Sequence, residues 1–184
     1  MDDSIFFRRQ SKRSYLPDPV PQEKLDRLYE IVRWSPSGSN SQPWRFIFVS
    51  DPSQKERFMK ALARGNQWAD AAPILIAVCS RPSDDGVRDD DPVQYYSFNS
   101  GLAVMSLLLG ATDMGLLAHP MAGYDAKKVK EALAIPDDYH VLCAIALGYP
   151  GPIESLDERT RAKDEAPRTR KELSEIISFD RFSF

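Results

Sequence analysis

Residues 35–44 read SPSGSNSQPW, and their types suit recognition better than packing. Proline, serine, glycine and asparagine expose backbone N–H groups and short hydroxyls, while Asn40 and Gln42 add side-chain amides that both donate and accept. Such a stretch can read the edge of a flat heterocycle that presents alternating donors and acceptors. A second run able to do chemistry lies earlier, Arg8-Arg9-Gln10-Ser11-Lys12-Arg13. The formal net charge is −3, so this dense basic cluster is not a bias of the whole chain. Arginine holds a phosphate by a planar bidentate fork, and a serine hydroxyl adds one more donor. Arg168 and Arg170 form a further basic pair near the other end. Taken alone, a run of this kind is usually a solvated face or a helix partner.

The elements that must position these runs alternate between helix and strand. Residues 21–34 place Leu25, Leu28, Tyr29 and Val32 on one helical face, with Pro21 suited to the first turn. An apolar strand follows over 45–50. Ser53 and Glu56 form a capping-box pattern for a helix ending near Gly65. A short buried strand is predicted at 74–80, then an acidic mobile loop over 81–91. A long helix rich in small residues spans 93–115, a short strand 116–119, an Asp125-capped helix runs to Leu133, and a central strand covers 139–148. The order predicts one α+β domain over 1–184, and neither an internal repeat nor a linker divides it. Residues 151–184 do not read as compact core, yet Leu173, Ile176, Ile177, Phe179, Phe182 and Phe184 need cover, since exposed together they are an aggregation hazard.

Composition excludes several classes. At 184 residues, with 42% hydrophobic and 28% charged residues, the chain is long enough for a real core and is neither disordered nor fibrous. Cys79 and Cys143 sit far apart in apolar runs and read as buried reduced thiols. Asp89-Asp90-Asp91 reads as an acidic loop, because consecutive carboxylates cannot all converge on a metal; no metal site is expected. His119, before a proline, reads as a satisfied structural histidine, and His140, near Asp137 and Asp138, as a solvated one. No GxGxxG follows a strand, which argues against a dinucleotide fold of that type. Nucleic acid is not an expected partner, because the net charge is negative and no aromatics interleave the arginines. The helix over 101–118 is interrupted by Ser106, Thr112 and Asp113, so no membrane span is expected, and the N-terminus lacks a signal-peptide pattern; the expected location is cytoplasmic.

The pattern along nearly the whole chain resembles the nitroreductase family of FMN-dependent oxidoreductases. RQSKRSYLPDPVP is similar to its RRSxRxY segment and PVP helix start. SPSGSNSQPW is similar to its proline-serine-glycine-x-asparagine-x-QPW signature. Asp70-Ala71-Ala72-Pro73 leads into a strand as in the family, HPMAGYD (119–125) resembles the segment beneath the flavin, and LGYP (147–150) resembles its closing strand. Two departures stand out: Gln10 replaces a frequent arginine, and Asn99 stands where an acidic residue is common.

The resemblance implies a three-layer α/β/α fold with a central mixed sheet, and a C-terminal arm (151–184) exchanged in a homodimer, with the small-residue helix at the subunit contact. It implies FMN as cofactor and NADH or NADPH as co-substrate. FMN ligation falls on Arg9, Gln10, Ser11 and Arg13, with Arg9 and Arg13 on the phosphate and Arg168 and Arg170 adding to the phosphate and ribityl site. Pro36, Ser37, Gly38 and Asn40 would reach a flavin bound mainly by the other subunit. Gln42 either joins them or caps the strand that follows. Asn66 and Gln67 occupy the region of a ribityl or pyrimidine contact. Ala122 and Gly123 align with the pair whose backbone N–H approaches the reactive ring nitrogen, where glycine lets the main chain come close.

The implied activity is ping-pong hydride transfer from reduced nicotinamide to a nitroaromatic, quinone or other electron-poor small molecule, with no catalytic side chain, because the flavin carries the redox step. Trp68, Tyr95, Tyr96 and Phe98 either line the pocket or pack in the core. A different class stays open: a flavin-binding protein, or one specialised in flavin breakdown, dehalogenation or azoline oxidation.

Overall fold

The computed structural model describes residues 3–86 and 93–184; the acidic run Asp89–Asp91 and part of the 81–91 loop lie outside them. After a one-turn helix α1 (Ile5–Arg8), helix α2 (Gln22–Arg33) starts from Pro21 at its N-cap. Leu25, Leu28 and Val32 are buried along its inner face, while Tyr29 lies edge-on to Phe48 at the rim. Strand β1 (Arg45–Val49) leads into α3 (Pro52–Met59). Its cap is Asp51, whose carboxylate accepts from the Gln54 N–H at 2.9 Å, with Pro52 in the first turn. The Ser53–Glu56 box does not form, because a proline in the first turn already starts the helix two residues earlier; Ser53 donates to Asp51 instead.

Nor does α3 run to Gly65. The chain leaves the helix at Lys60 so that Ala61–Ala63 can pair with the segment at 123–125: the Ala63 N–H donates to the Gly123 carbonyl and the Asp125 N–H to the Ala61 carbonyl. Tertiary pairing and the burial of Ala61 and Leu62 override local helix preference. A 3₁₀ stretch, Arg64–Ala71, follows.

Strand β2 (Ile74–Ser80) is buried at every position. Then come α4 (Tyr95–Asp113), β3 (Leu117–Met121), α5 (Ala126–Leu133) with Asp125 as its cap, and β4 (His140–Gly148). Among the described residues the sheet has the order β1-β2-β4-β3. Every neighbouring pair is antiparallel, so the expected mixed sheet is corrected: a helix between two strands decides which face is covered, not which way the next strand runs.

Alternation along β2 divides the core into two layers. Leu75, Ala77 and Cys79 face Phe58, Met59 and Val129 of α3 and α5. Ile74, Ile76 and Val78 face Leu25, Leu28, Ala103 and Leu107 of α2 and α4. The result is α+β in three layers, α/β/α. Small residues serve the helix pair inside the chain: a Cβ on Gly110 of α4 would stand 2.7 Å from Ile31 Cδ1 of α2. Among the described residues no helix is long and apolar enough to cross a membrane.

The C-terminal segment divides in two. Helix α6 (Glu158–Glu165) packs on its own chain and buries Asp164. Beyond it Leu173, Phe179 and Phe182 are 69%, 83% and 86% exposed, so these side chains are not covered by the described residues.

Candidate functional site

Arg9, Gln10, Ser11 and Lys12, just after α1, meet Lys163, Asp164, Ala166, Arg168 and Arg170 across a cavity of about 220 Å³. Residues more than 150 positions apart are brought together by hydrogen bonds that tie the two ends of the chain. The Arg168 guanidinium donates to the Phe7 carbonyl at 2.6 Å and to the Arg9 carbonyl at 3.3 Å. Lys12 Nζ donates to the Asp164 carbonyl. The Asp164 carboxylate, 1% exposed, accepts from the Arg13 N–H at 2.7 Å and from Arg13 Nη1 at 2.5 Å. Arg13 therefore does not line the cavity; its charge is met by Asp164, and its guanidinium stands over the Trp68 ring.

Arg9 is different. It donates to Ser11 Oγ at 3.2 Å, and burial, then the positive charges of Arg168 and Arg170, hold its guanidinium below the usual arginine range. An arginine crowded by the positive charges of two others is a preformed complement for a phosphate dianion. Lys163 and Asp164 carried no signal in the sequence, because their roles depend on a contact between the chain termini.

Asn66, Gln67, Ala122 and Gly123 form a second group. Asn66 Nδ2 donates to the Gly123 carbonyl at 2.9 Å, and Gln67 Nε2 to the Leu62 carbonyl at 3.1 Å. Gly123 is glycine for a steric reason: a Cβ there would lie 2.8 Å from Asn66 Nδ2 and 3.3 Å from the Ala63 Cβ. Among the described residues the Gly123 N–H has no hydrogen-bond partner, although an amide in a half-buried position normally finds one. That donor, with the arginine-lined cavity, fits the ring and phosphate ends of FMN.

Beneath lies a packed support. Trp68 stacks parallel to Tyr15 and lies 4.5 Å from the His119 ring. His119 is buried and its Nδ1 is 2.9 Å from the Lys12 carbonyl; burial holds its pKa below the ordinary histidine value. It is satisfied and structural. Tyr96 is buried core, whereas Phe98 is exposed. Cys79 and Cys143 are free thiols, each pushed by burial to about 11.

The Pro36–Gln42 turn is a third group, and among the described residues no hydrogen bond or ion pair links it to the first two. Ser39, Asn40 and Gln42 all have positive φ, at 50°, 56° and 46°, a conformation that side chains adopt only when the surroundings hold them there. The Ser37 hydroxyl accepts from the Gln42 N–H at 3.0 Å, and Gln42 Nε2 donates to Asn40 Oδ1 at 3.0 Å, so Gln42 braces the turn rather than the strand. Asn99 of α4, buried, accepts from the Gly38 N–H at 3.3 Å and donates to Asp85 at 2.7 Å. An amide can do both; a carboxylate at 99 would face Asp85 with like charge. Pro36, Gly38 and Asn40 are exposed.

With this geometry in view, comparison with known proteins gives a consistent answer. The model of the nitroreductase family matches residues 7–71 and 60–149, and the chain belongs to that family. A provisionally named NADH dehydrogenase/NAD(P)H nitroreductase of Xanthomonas oryzae is 30% identical over 185 residues, covering 90% of this chain and 94% of the relative. One of the same name from Streptomyces coelicolor is 26% identical over 88% of this chain and 89% of its own length. Among solved structures, an oxidoreductase containing FMN superposes with a TM-score of 0.88 at 32% identity, over all of this chain and 93% of that one. A nitroreductase family protein of Clostridium difficile gives 0.80 at 25% identity, over 97% of both chains.

Proposed function

We propose that this FMN-dependent NAD(P)H oxidoreductase reduces electron-poor small molecules, such as nitroaromatics, quinones and enones, in a homodimer whose two chains share each site. The observation that carries the reading is the closure of Arg9, Ser11, Arg168 and Arg170 on one small cavity, where among the described residues no carboxylate pairs with these three arginines. When bound, FMN supplies acceptance and donation of hydride, so no side-chain acid or nucleophile is needed.

The chain's own residues hold and orient. Arg9, Ser11, Arg168 and Arg170 grip the phosphate, with Gln10 beside them. Arg13, fixed by Asp164, places a cation at the edge of the site. The Gly123 N–H and the preceding Ala122 present main chain to the ring, and Asn66 and Gln67 fix that backbone from below. The Pro36–Gln42 turn, with Ser37, Gly38 and Asn40 outermost, extends to the flavin of the second chain, and the apolar tail beyond Arg170 is the arm that crosses to it.

Steady-state rates with both substrates varied test this directly. Parallel double-reciprocal lines are expected, because reductant and acceptor use one pocket in turn; intersecting lines, which demand both substrates bound together, contradict it.

A further inference from the structure

Beside the phosphate cavity lies a larger one, of about 560 Å³, within the range of small-molecule sites. Arg64, Gly65, Gln67 and Trp68 of the 3₁₀ stretch form one wall; Asp157, Arg159, Thr160 and Lys163 of α6 and its cap form the other. Lys163 lines both cavities, so they adjoin. The wall holds three cations and one carboxylate, Asp157, which accepts from the Thr160 N–H at 3.0 Å and from its hydroxyl at 2.7 Å and also feels the positive charge of Arg159.

Among the described residues, the side chains of Arg64, Arg159 and Lys163 have neither an ion pair nor a hydrogen bond. Nearby, Arg13 and Lys12 are held by Asp164. A concavity of this size with a net positive wall raises the local concentration of a polyanion, and bidentate arginines favour phosphate over a diffuse charge.

We infer that this second cavity binds the phosphorylated adenosine end of the reductant, with Arg64 and Arg159 on the 2′-phosphate, so that the enzyme is selective for NADPH over NADH. The inference rests on the oxidoreductase reading, which requires a second nucleotide next to FMN and leaves its identity open. The diphosphate is common to both dinucleotides and its charge cannot distinguish them; the 2′-phosphate of NADPH is the added anion that Arg64 and Arg159 would meet.

The test is calorimetry on the flavin-loaded protein with 2′,5′-ADP, 5′-AMP and inorganic phosphate as separate titrants. We expect 2′,5′-ADP to bind at least tenfold more tightly than 5′-AMP or phosphate. The Arg64→Ala/Arg159→Ala protein should lose that preference, keep its flavin spectrum, and show its NADPH-to-NADH ratio of kcat/KM fall toward one. Equal binding of 2′,5′-ADP and 5′-AMP overturns the assignment, as does inorganic phosphate binding as tightly as 2′,5′-ADP, which marks a bare anion site. A protein that takes up no FMN overturns the oxidoreductase reading instead, and the same titrations on it still decide for or against the nucleotide cavity.

Discussion

The phosphate cavity and the Pro36–Gln42 turn are both built from polar residues, yet the chain treats them differently. The cavity is closed by its own two ends: Asp164 is buried against Arg13, and Arg168 reaches across to the carbonyls of Phe7 and Arg9. The turn is strained at three positions, exposed at its tip, and anchored to the body through the side chains of Asn99 and Arg45. One region is complete within a chain; the other is held in a fixed shape and faces outward, as a group meant for a second molecule would be. The exposed tail beyond Arg170 shares the outward character. Strain and exposure in one chain thus mark what the assembly is expected to complete.

The closed region should respond most strongly to loss of its buried carboxylate. Asp164→Ala leaves Arg13 without its partner and should cost about 3 kcal/mol of stability, as breaking a buried pair does, measured by denaturant unfolding. A cost under about 1 kcal/mol, the range of a surface pair, would show that the chain ends are not locked together. Arg9→Ala should weaken FMN binding by about 1.5–3 kcal/mol, the worth of a charge-assisted hydrogen bond, while leaving the fold intact; fluorescence titration of released flavin reads it.

The outward region should fail in another way. Removing residues 171–184 spares Arg168 and Arg170 but strips the apolar tail, so sedimentation should show monomers that still bind flavin, more weakly. A stable dimer after that truncation would mean the tail is not the arm. Gly123→Val would sharpen the comparison between backbone and side-chain roles: its added atoms collide with Asn66, so turnover should fall far more than FMN content.

The smallest effect concerns pH. His119 has its pKa held below the unfolded value by burial, so the unfolded chain binds more protons between the two pKa values. Stability from this residue is present above the unfolded value of about 6.5 and is lost as pH falls through that window. His119→Gln, which can still donate to the Lys12 carbonyl, should flatten this part of the melting-temperature profile; an unchanged slope would mean that the ring titrates alike in the folded and unfolded chains.

Much of this was legible before the fold. The run Ile74–Ser80 and the Asp125 cap are local signals, and both elements form where the sequence places them. What escaped depends on distant partners. Nothing in 51–65 reveals that Ala61–Ala63 will pair with 123–125 and end α3 early. Nothing in α6 announces that Asp164 will meet Arg13, because a carboxylate among charged neighbours looks solvated until burial is known. Strand direction escaped for the same reason, since antiparallel pairing is a property of the closed sheet. The candidate site was legible by residue type, and its division into a closed and an outward part was not.

The visible absorption spectrum of the purified protein tests the central claim most directly, read before and after anaerobic addition of reduced nicotinamide. The account predicts about one FMN per chain, bleached by the nicotinamide, and a matched Arg9→Ala/Arg168→Ala protein that emerges largely colourless. A wild-type protein that is colourless and takes up no FMN at micromolar concentration, or one whose bound FMN neither nicotinamide reduces, would contradict it.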